Sequence, residues 1–281
     1  MRKFILSAFA DEYSATLDGQ LEGLSLSGIG MLEPRFIDGT NIAALSAKEA
    51  TRVAKIFDSA GISVFSVGSP IGKIVLDGDH SAHLDSARRS FENAAILSAK
   101  RVRVFSYYLP QNTSRPDVRD EVIDRLGTLL DLADEYGLTL CHENEAKIYG
   151  ESPADAHDLI KATDGRLRAV FDMGNLALMG YDPVAAYHLL AEYIEYFHIK
   201  DALSAGAIVP PGLGEAKIPE ILRLHAQNHA DTVLTLEPHL ETFSGLGRLT
   251  DSTFDNPYKY ETPESAFLDA ASRIKEIIAA I

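Results

Sequence analysis

The chain has 281 residues, 46% of them hydrophobic, and sets 26 Lys+Arg against 41 Asp+Glu, a formal net charge of −15. That acidic balance argues against DNA, RNA or an anionic membrane as the main partner, since such partners select basic faces. The one cysteine, Cys141, excludes an internal disulfide framework and fits a reducing, cytoplasmic compartment, and no run approaches the ~20 apolar residues of a membrane span.

In chain order, short apolar or β-branched runs alternate with helical patterns. FILSAF (4–9) reads as the first strand. The basic residues before it resemble a signal peptide, but the apolar run is short and acidic residues follow at once. Leu17, Leu21 and Leu24 then recur at helical spacing. The strand GIGMLE (28–33) leads to a helix over 47–60 with Val53, Ile56 and Phe57 on one face. ISVFSV (62–67) is followed by the stripe Leu84, Ala87, Phe91, Ala94 and Ala95. RVRVFSY (101–107) is followed by Val122, Leu126, Leu129, Leu130 and Ala133. The strands LTLCHE (138–143), LRAVFD (167–172), EYFHIK (195–200) and TVLTLE (232–237) alternate with helices over 153–163, 183–193, 218–227 and 263–280. Gly61 and Gly137 sit where helix C-terminal caps belong, and Pro153, Pro183 and Pro219 sit near helix starts.

These are eight strand–helix units without a linker-like break. Alternation implies parallel pairing, and eight units in roughly 250 residues is the size of a (β/α)8 TIM barrel. The expectation is one such α/β domain over 1–281. A doubly wound open sheet is the runner-up, but AFADEYS stands where its glycine fingerprint would be. The longest connection, 239–263, has the length of a functional loop.

The last four strands end on polar residues: Glu143 in LCHENE, Asp172 in VFDMGN, His198 in YFHIKD and Glu237 in TLEPHL. In a barrel these ends share one rim, where the active site lies. A single acid at a strand end is usually a helix cap. Four in neighbouring strands point to a metal site. Without a cation the carboxylates would repel, and at least one would titrate abnormally high. Within HENE, His142 or Glu145 could replace Glu143, and strand alternation does not decide between them. Oxygen donors favour Mg2+ or Mn2+, and the imidazole tilts the set toward Mn2+, with Co2+ and Zn2+ behind. His80 and His83 read as surface residues. His157, His188, His225 and His229 read as structural. His239 is placed at the mouth or in the scaffold with equal weight. The loop PPGLGE (210–215) reads as either a rim contact or a plain turn.

HENEAKIYG (142–150), FDMGNLALMGYDP (171–183), FHIKDA (197–202), PPGLGE (210–215) and LEPHL (236–240) together resemble the sugar phosphate isomerase/epimerase superfamily, the xylose-isomerase-like TIM barrels. The resemblance implies one divalent ion held by Glu143, Asp172, His198 and Glu237. It further implies that Glu143 and Glu237 exchange a proton at a carbon beside a carbonyl, through a cis-enediolate, in a sugar or related polyol or keto compound. Ketose 3-epimerases carry a histidine where this chain has Asn175, and an arginine shortly after the metal histidine, where this chain reads Lys200-Asp201-Ala202-Leu203-Ser204. The departures count against that subtype, not against the metal site. A dehydratase of the inosose-dehydratase type, or a barrel that binds without turnover, are the alternatives. The DNA-binding AP-endonuclease branch, richer in histidine ligands, is set aside. Asn175, Lys200, Lys147, Glu33 and Arg35 are candidate substrate contacts, with Lys73 and Arg248 behind them. Homo-oligomerisation stays open.

Overall fold

A computed structural model describes residues 4–204, 206–229, 231–240 and 258–281. The sequence runs form strands β1 (Phe4–Ala8), β2 (Met31–Leu32), β3 (Ser66–Gly68), β4 (Arg101–Val104), β5 (Thr139–Glu143), β6 (Arg168–Asp172), β7 (Ile194–Ile199) and β8 (Thr232–Leu236). Helices α1 (Leu17–Ser27), α2 (Ala47–Ser59), α3 (His80–Ile96), α4 (Arg115–Asp134) and α5 (Pro153–Ala162) lie between them. The second half adds α6 (Met173–Leu178), α7 (Pro183–Leu190), α8 (Ile218–Asn228) and α9 (Pro263–Ala279). Side-chain caps start many of them: Ser46 and Glu49 form a reciprocal capping box on α2, and Asp182 caps α7 with Pro183 at its first position. Gly61 and Gly137 take positive φ after α2 and α4, as the cap expectation requires. None of the described helices is long and apolar enough to cross a membrane.

Seven strands form one parallel sheet in the order β1-β8-β7-β6-β5-β4-β3. The eighth stave is thin. Glu33 N–H donates to Ala8 O on one side (3.1 Å), and Gly68 N–H donates to Pro34 O on the other (3.0 Å), which closes the barrel. Two expected strands are cut short here. The run 28–33 leaves only two paired residues. The run 62–67 breaks into Ser63–Val64, paired with β2, and β3 proper. The segment after β2 also folds into a small antiparallel hairpin, Phe36–Ile37 with Thr40–Asn41. The connection 241–257, with Arg248 in it, lies outside the described residues.

Strand alternation organises the inside. Cys141, Val170, Tyr196 and Val233 form one buried cluster with Ile5, Met31 and Phe65. Two residues further along three of those strands stand Glu143, Asp172 and His198, all buried. The apolar plug therefore gives way to a polar layer one step up. Residues of the opposite parity, such as Leu140, Phe171 and Phe197, join the larger core between sheet and helices. His142 shares that outward parity and bonds Ser106 Oγ (2.9 Å) rather than the barrel centre. Glu145 pairs with Lys73 (3.0 Å). Alternation plus closure thus selects Glu143 from HENE. His83 corrects the surface expectation: it is buried, and its Nε2 accepts from Gly72 N–H (2.9 Å).

Burial holds the His142 imidazole down to about 4, and His83 is likewise lowered to about 4, chiefly by burial. The unfolded chain titrates its histidines near 6.5 and so binds more protons between these values. Their contribution to stability is complete above pH ~6.5 and is lost as pH falls toward 4. His142→Gln is expected to flatten this slope, by on the order of 3 kcal/mol across the interval, in urea unfolding followed as a function of pH.

Candidate metal centre

The four strand-end residues come together. Glu143, Asp172, His198 and Glu237 each offer a ligand atom, all within 4.8 Å of one another, and all four residues are buried. Register explains the convergence. His198 lies level with Asp172 on β6 and with Thr235 on β8, and Glu237 stands two residues above Thr235. Glu143 ends β5 beside Val170. His198 Nδ1 is 3.1 Å from Glu237 Oε2 and 3.3 Å from Glu143 Oε1. It nevertheless makes no well-formed hydrogen bond among the described residues. A buried ring nitrogen beside two anionic oxygens, without a hydrogen bond to either, is the disposition of ligands that share an ion. The donor set therefore fits a divalent cation.

Each carboxylate divides its two oxygens. Glu143 turns Oε1 inward, while Oε2 accepts from Arg103 (3.1 Å). Glu237 turns Oε2 inward, while Oε1 accepts from Arg35 (2.7 Å). Asp172 Oδ1 caps α6 by accepting from Asn175 N–H (2.8 Å), and Oδ2 meets Lys200 Nζ (2.9 Å). The helix-cap role and the cluster role are thus both real for Asp172. Asn144 clips the same point: its amide donates to Asp172 O (2.9 Å) and accepts from Asp172 N–H (3.0 Å).

Burial alone would raise Glu143, but His198 and Arg103 outweigh it and hold the group down to about 2. Burial would also raise Glu237, and Lys200 and His198 carry it well below the usual range. Asp172 goes the other way, pushed up to about 7 by burial that Lys200 only partly offsets. Burial would lower His198, yet Glu143, Glu33 and Glu237 hold it well above an ordinary imidazole in the metal-free protein.

Of the substrate-contact candidates, Lys200 touches Asp172, Asn175 Oδ1 (3.2 Å) and Glu237 Oε2 (3.4 Å). Asn175 donates to Glu143 Oε1 (3.3 Å) and Asn144 O (3.0 Å). Glu33 stands behind His198 rather than at the rim. Arg35 is fully buried and reaches Asp11 (3.2 Å), Glu12 (3.0 Å) and Glu237. Lys147 does not join them: its side chain is exposed, and only its backbone N–H engages Glu151 Oε2 (2.6 Å). His239 is buried near Glu12 and Glu237, with Nε2 3.7 and 3.8 Å from their oxygens. The PPGLGE loop wraps the Asp201 carboxylate, which accepts from the N–H groups of Gly212, Gly214 and Ala216. It works there as a scaffold for the end of β7.

Sequence reasoning missed Arg103, Asp11, Glu12, Phe9 and Asn144. Arg103 carried a signal: in RVRV it shares the inward parity of its strand, where an arginine needs a buried anion. Phe9 lies under the Arg35 guanidinium (3.8 Å to the ring centroid) and edge-on to His198 (5.0 Å between centroids). Gly68 leaves room for this stack, since a Cβ there would come within 2.6 Å of both Arg35 Cγ and Phe9 Cε1.

Residues 24–277 match the family model described as the xylose isomerase-like TIM barrel. An inosose dehydratase of Geobacillus kaustophilus (strain HTA426) is 30% identical over 83 residues, which is 29% of this chain and 27% of that protein. The match therefore spans about a quarter of that relative. Two solved structures superpose over nearly the full length. One is an L-ribulose 3-epimerase, with TM-score 0.75, 18% identity and coverage of 99% and 95% of the two chains. The other is a xylose isomerase-like TIM barrel protein from Mycobacterium smegmatis in complex with magnesium, with TM-score 0.72, 18% identity and coverage of 98% and 96%. At such identity these two establish likeness of fold alone.

Arg35→Met would leave Asp11, Glu12 and Glu237 without their shared cation in a buried site. The expected loss is about 3–5 kcal/mol in urea unfolding, the range for a broken buried pair. Gly68→Ala should cost about 1–3 kcal/mol by displacing Arg35 and Phe9.

Proposed function

The chain belongs to the xylose isomerase-like TIM barrel family, and on that premise we propose that it is a divalent-metal-dependent isomerase or epimerase of a sugar or related polyol or keto compound. The observation that carries this reading is the shared centre of Glu143, Asp172, His198 and Glu237 at the C-terminal ends of four adjacent strands. Three carboxylates and an imidazole favour Mn2+, with Mg2+, Co2+ and Zn2+ as the other candidates. When bound, such an ion polarises a carbonyl and its neighbouring hydroxyl and offsets negative charge as it develops.

The chain's own residues do the rest. Glu143 and Glu237 stand at the two ends of the four-strand arc, so they flank whatever lies over β6 and β7. Either inward oxygen can take a proton from the carbon beside the carbonyl, giving a cis-enediolate. The opposite glutamate then returns a proton, at the same carbon from the other face or at its neighbour. Arg103 and Arg35 grip the outer oxygens, which fixes each carboxylate in a single orientation. Lys200 and Asn175 line the same centre and can orient substrate oxygens.

A second reading is dehydration, and the partial match to an inosose dehydratase favours it. The first step is the same proton removal. The enediolate then expels a neighbouring hydroxyl, which leaves as water after gaining a proton.

Solvent-deuterium incorporation across a panel of ketoses and aldoses with added Mn2+ tests both readings. Exchange at one carbon is expected with wild-type protein. Glu143→Gln and Glu237→Gln should each lower it by about 10²–10⁴-fold, with wild-type folding by circular dichroism. Undiminished exchange in Glu237→Gln rejects its assigned role. A product lighter by one water selects dehydration.

A further inference from the structure

The fully buried Glu33 carboxylate joins two neighbours. Its Oε1 accepts from Tyr196 Oη–H (2.7 Å), and its Oε2 lies 3.3 Å from His198 Nε2. Tyr196 Oη in turn lies 3.1 Å from Ser66 Oγ. On the far edge of the same imidazole, Nδ1 faces Glu143 and Glu237. The rings of Phe9 and Tyr196 pack edge-on against His198, at 5.0 and 5.4 Å between centroids, and keep it from turning over. A neutral imidazole can present a lone pair at Nδ1 only with its proton on Nε2. The partner beside Nε2 decides where that proton sits.

We infer that Glu33 is a positioning residue that holds the proton of His198 on Nε2 and so turns the Nδ1 lone pair toward the centre, with Tyr196 and Ser66 holding Glu33 in turn. This rests on the metal-centre reading. The carboxylate suits the task because it accepts from Tyr196 and from Nε2–H at once. An amide does not. In Glu33→Gln, the oxygen that continues to accept from Tyr196 leaves an NH2 group facing Nε2. That NH2 asks Nε2 to accept and drives the ring proton to Nδ1. Removing the phenol as well frees the amide oxygen to turn back to Nε2–H. The geometry therefore makes an unusual demand: a second substitution, Tyr196→Phe, should repair the first.

The test has two arms. Zn2+ titration calorimetry on the full chain should show Glu33→Gln binding about 10–100-fold more weakly than wild type, the usual effect of losing such a partner. Tyr196→Phe should bind nearly as well as wild type, and Glu33→Gln/Tyr196→Phe should recover most of the loss. A general packing defect would instead deepen in the double variant. The second arm needs no metal. In nitrogen-15 histidine spectra, assigned against His198→Asn, wild type should show an exchange-protected, far-downfield Nε2–H that is lost from that position in Glu33→Gln. Equal Zn2+ affinity in Glu33→Gln overturns the inference. So does an Nε2–H signal that is absent from wild type or unchanged in the variant. If wild type takes up no Zn2+ and yet shows the protected Nε2–H, the metal reading fails while the Glu33–His198 coupling stands. If Glu33→Gln does not fold, the wild-type resonance still decides.

Discussion

The barrel mouth depends on charge compensation among buried side chains. Asp11, Glu12, Glu33, Glu143, Asp172 and Glu237 are all buried at one end of the barrel. An isolated buried carboxylate is costly, and neighbours of like charge make it worse. Arg35, Arg103 and Lys200, equally buried, thread between them. Where compensation is incomplete, protons make up the difference: Glu12 is pushed up to about 8 by burial that Arg35 only partly offsets. The three cations still leave Glu143 Oε1, Glu237 Oε2 and His198 Nδ1 facing one another. Asn175 and Lys200 reach these oxygens only from the side, at 3.3 and 3.4 Å, and a divalent ion would complete the set.

Compensation also gives each group one orientation. A carboxylate held by a single bond can rotate, but one with an oxygen anchored by arginine presents the other in a fixed direction. Glu143 and Glu237 are both built this way, on separate strands and with separate arginines. Asp172 reaches the same result through α6, whose first turn takes one of its oxygens. The Phe9 ring ties the arrangement together by stacking beneath Arg35 and meeting the edge of His198. A site with fixed charges of this kind stabilises charge in a bound compound without reorganising first.

Much of this was legible in the sequence. Hydrophobic periodicity located the strands and helices closely, and glycine and proline punctuation marked their ends. The polar strand termini in HENE, FDMGN, FHIKD and LEPHL identified the four converging residues, because parallel strands of a closed barrel deliver their C-terminal ends to one rim. Strands 2 and 3 were less legible. Their pairing is short and broken: Glu33 N–H bonds Ala8 O on one side, and on the other the bonds from Ser63, Phe65 and Gly68 N–H to Gly30, Leu32 and Pro34 O are irregularly spaced, which leaves no periodic trace.

What the sequence determined by itself was which residue types stand at which strand ends, since local pattern and alternation need no knowledge of neighbours. What only the tertiary structure decided was direction and partnership. His142 and Glu143 are adjacent and of opposite parity, and only closure of the barrel says which parity faces in. Glu33 and Arg35 read as rim contacts, yet folding carries them behind His198 and Glu237, because the inside of a barrel admits a charged side chain only where an opposite charge or hydrogen-bond partner from a distant strand already stands.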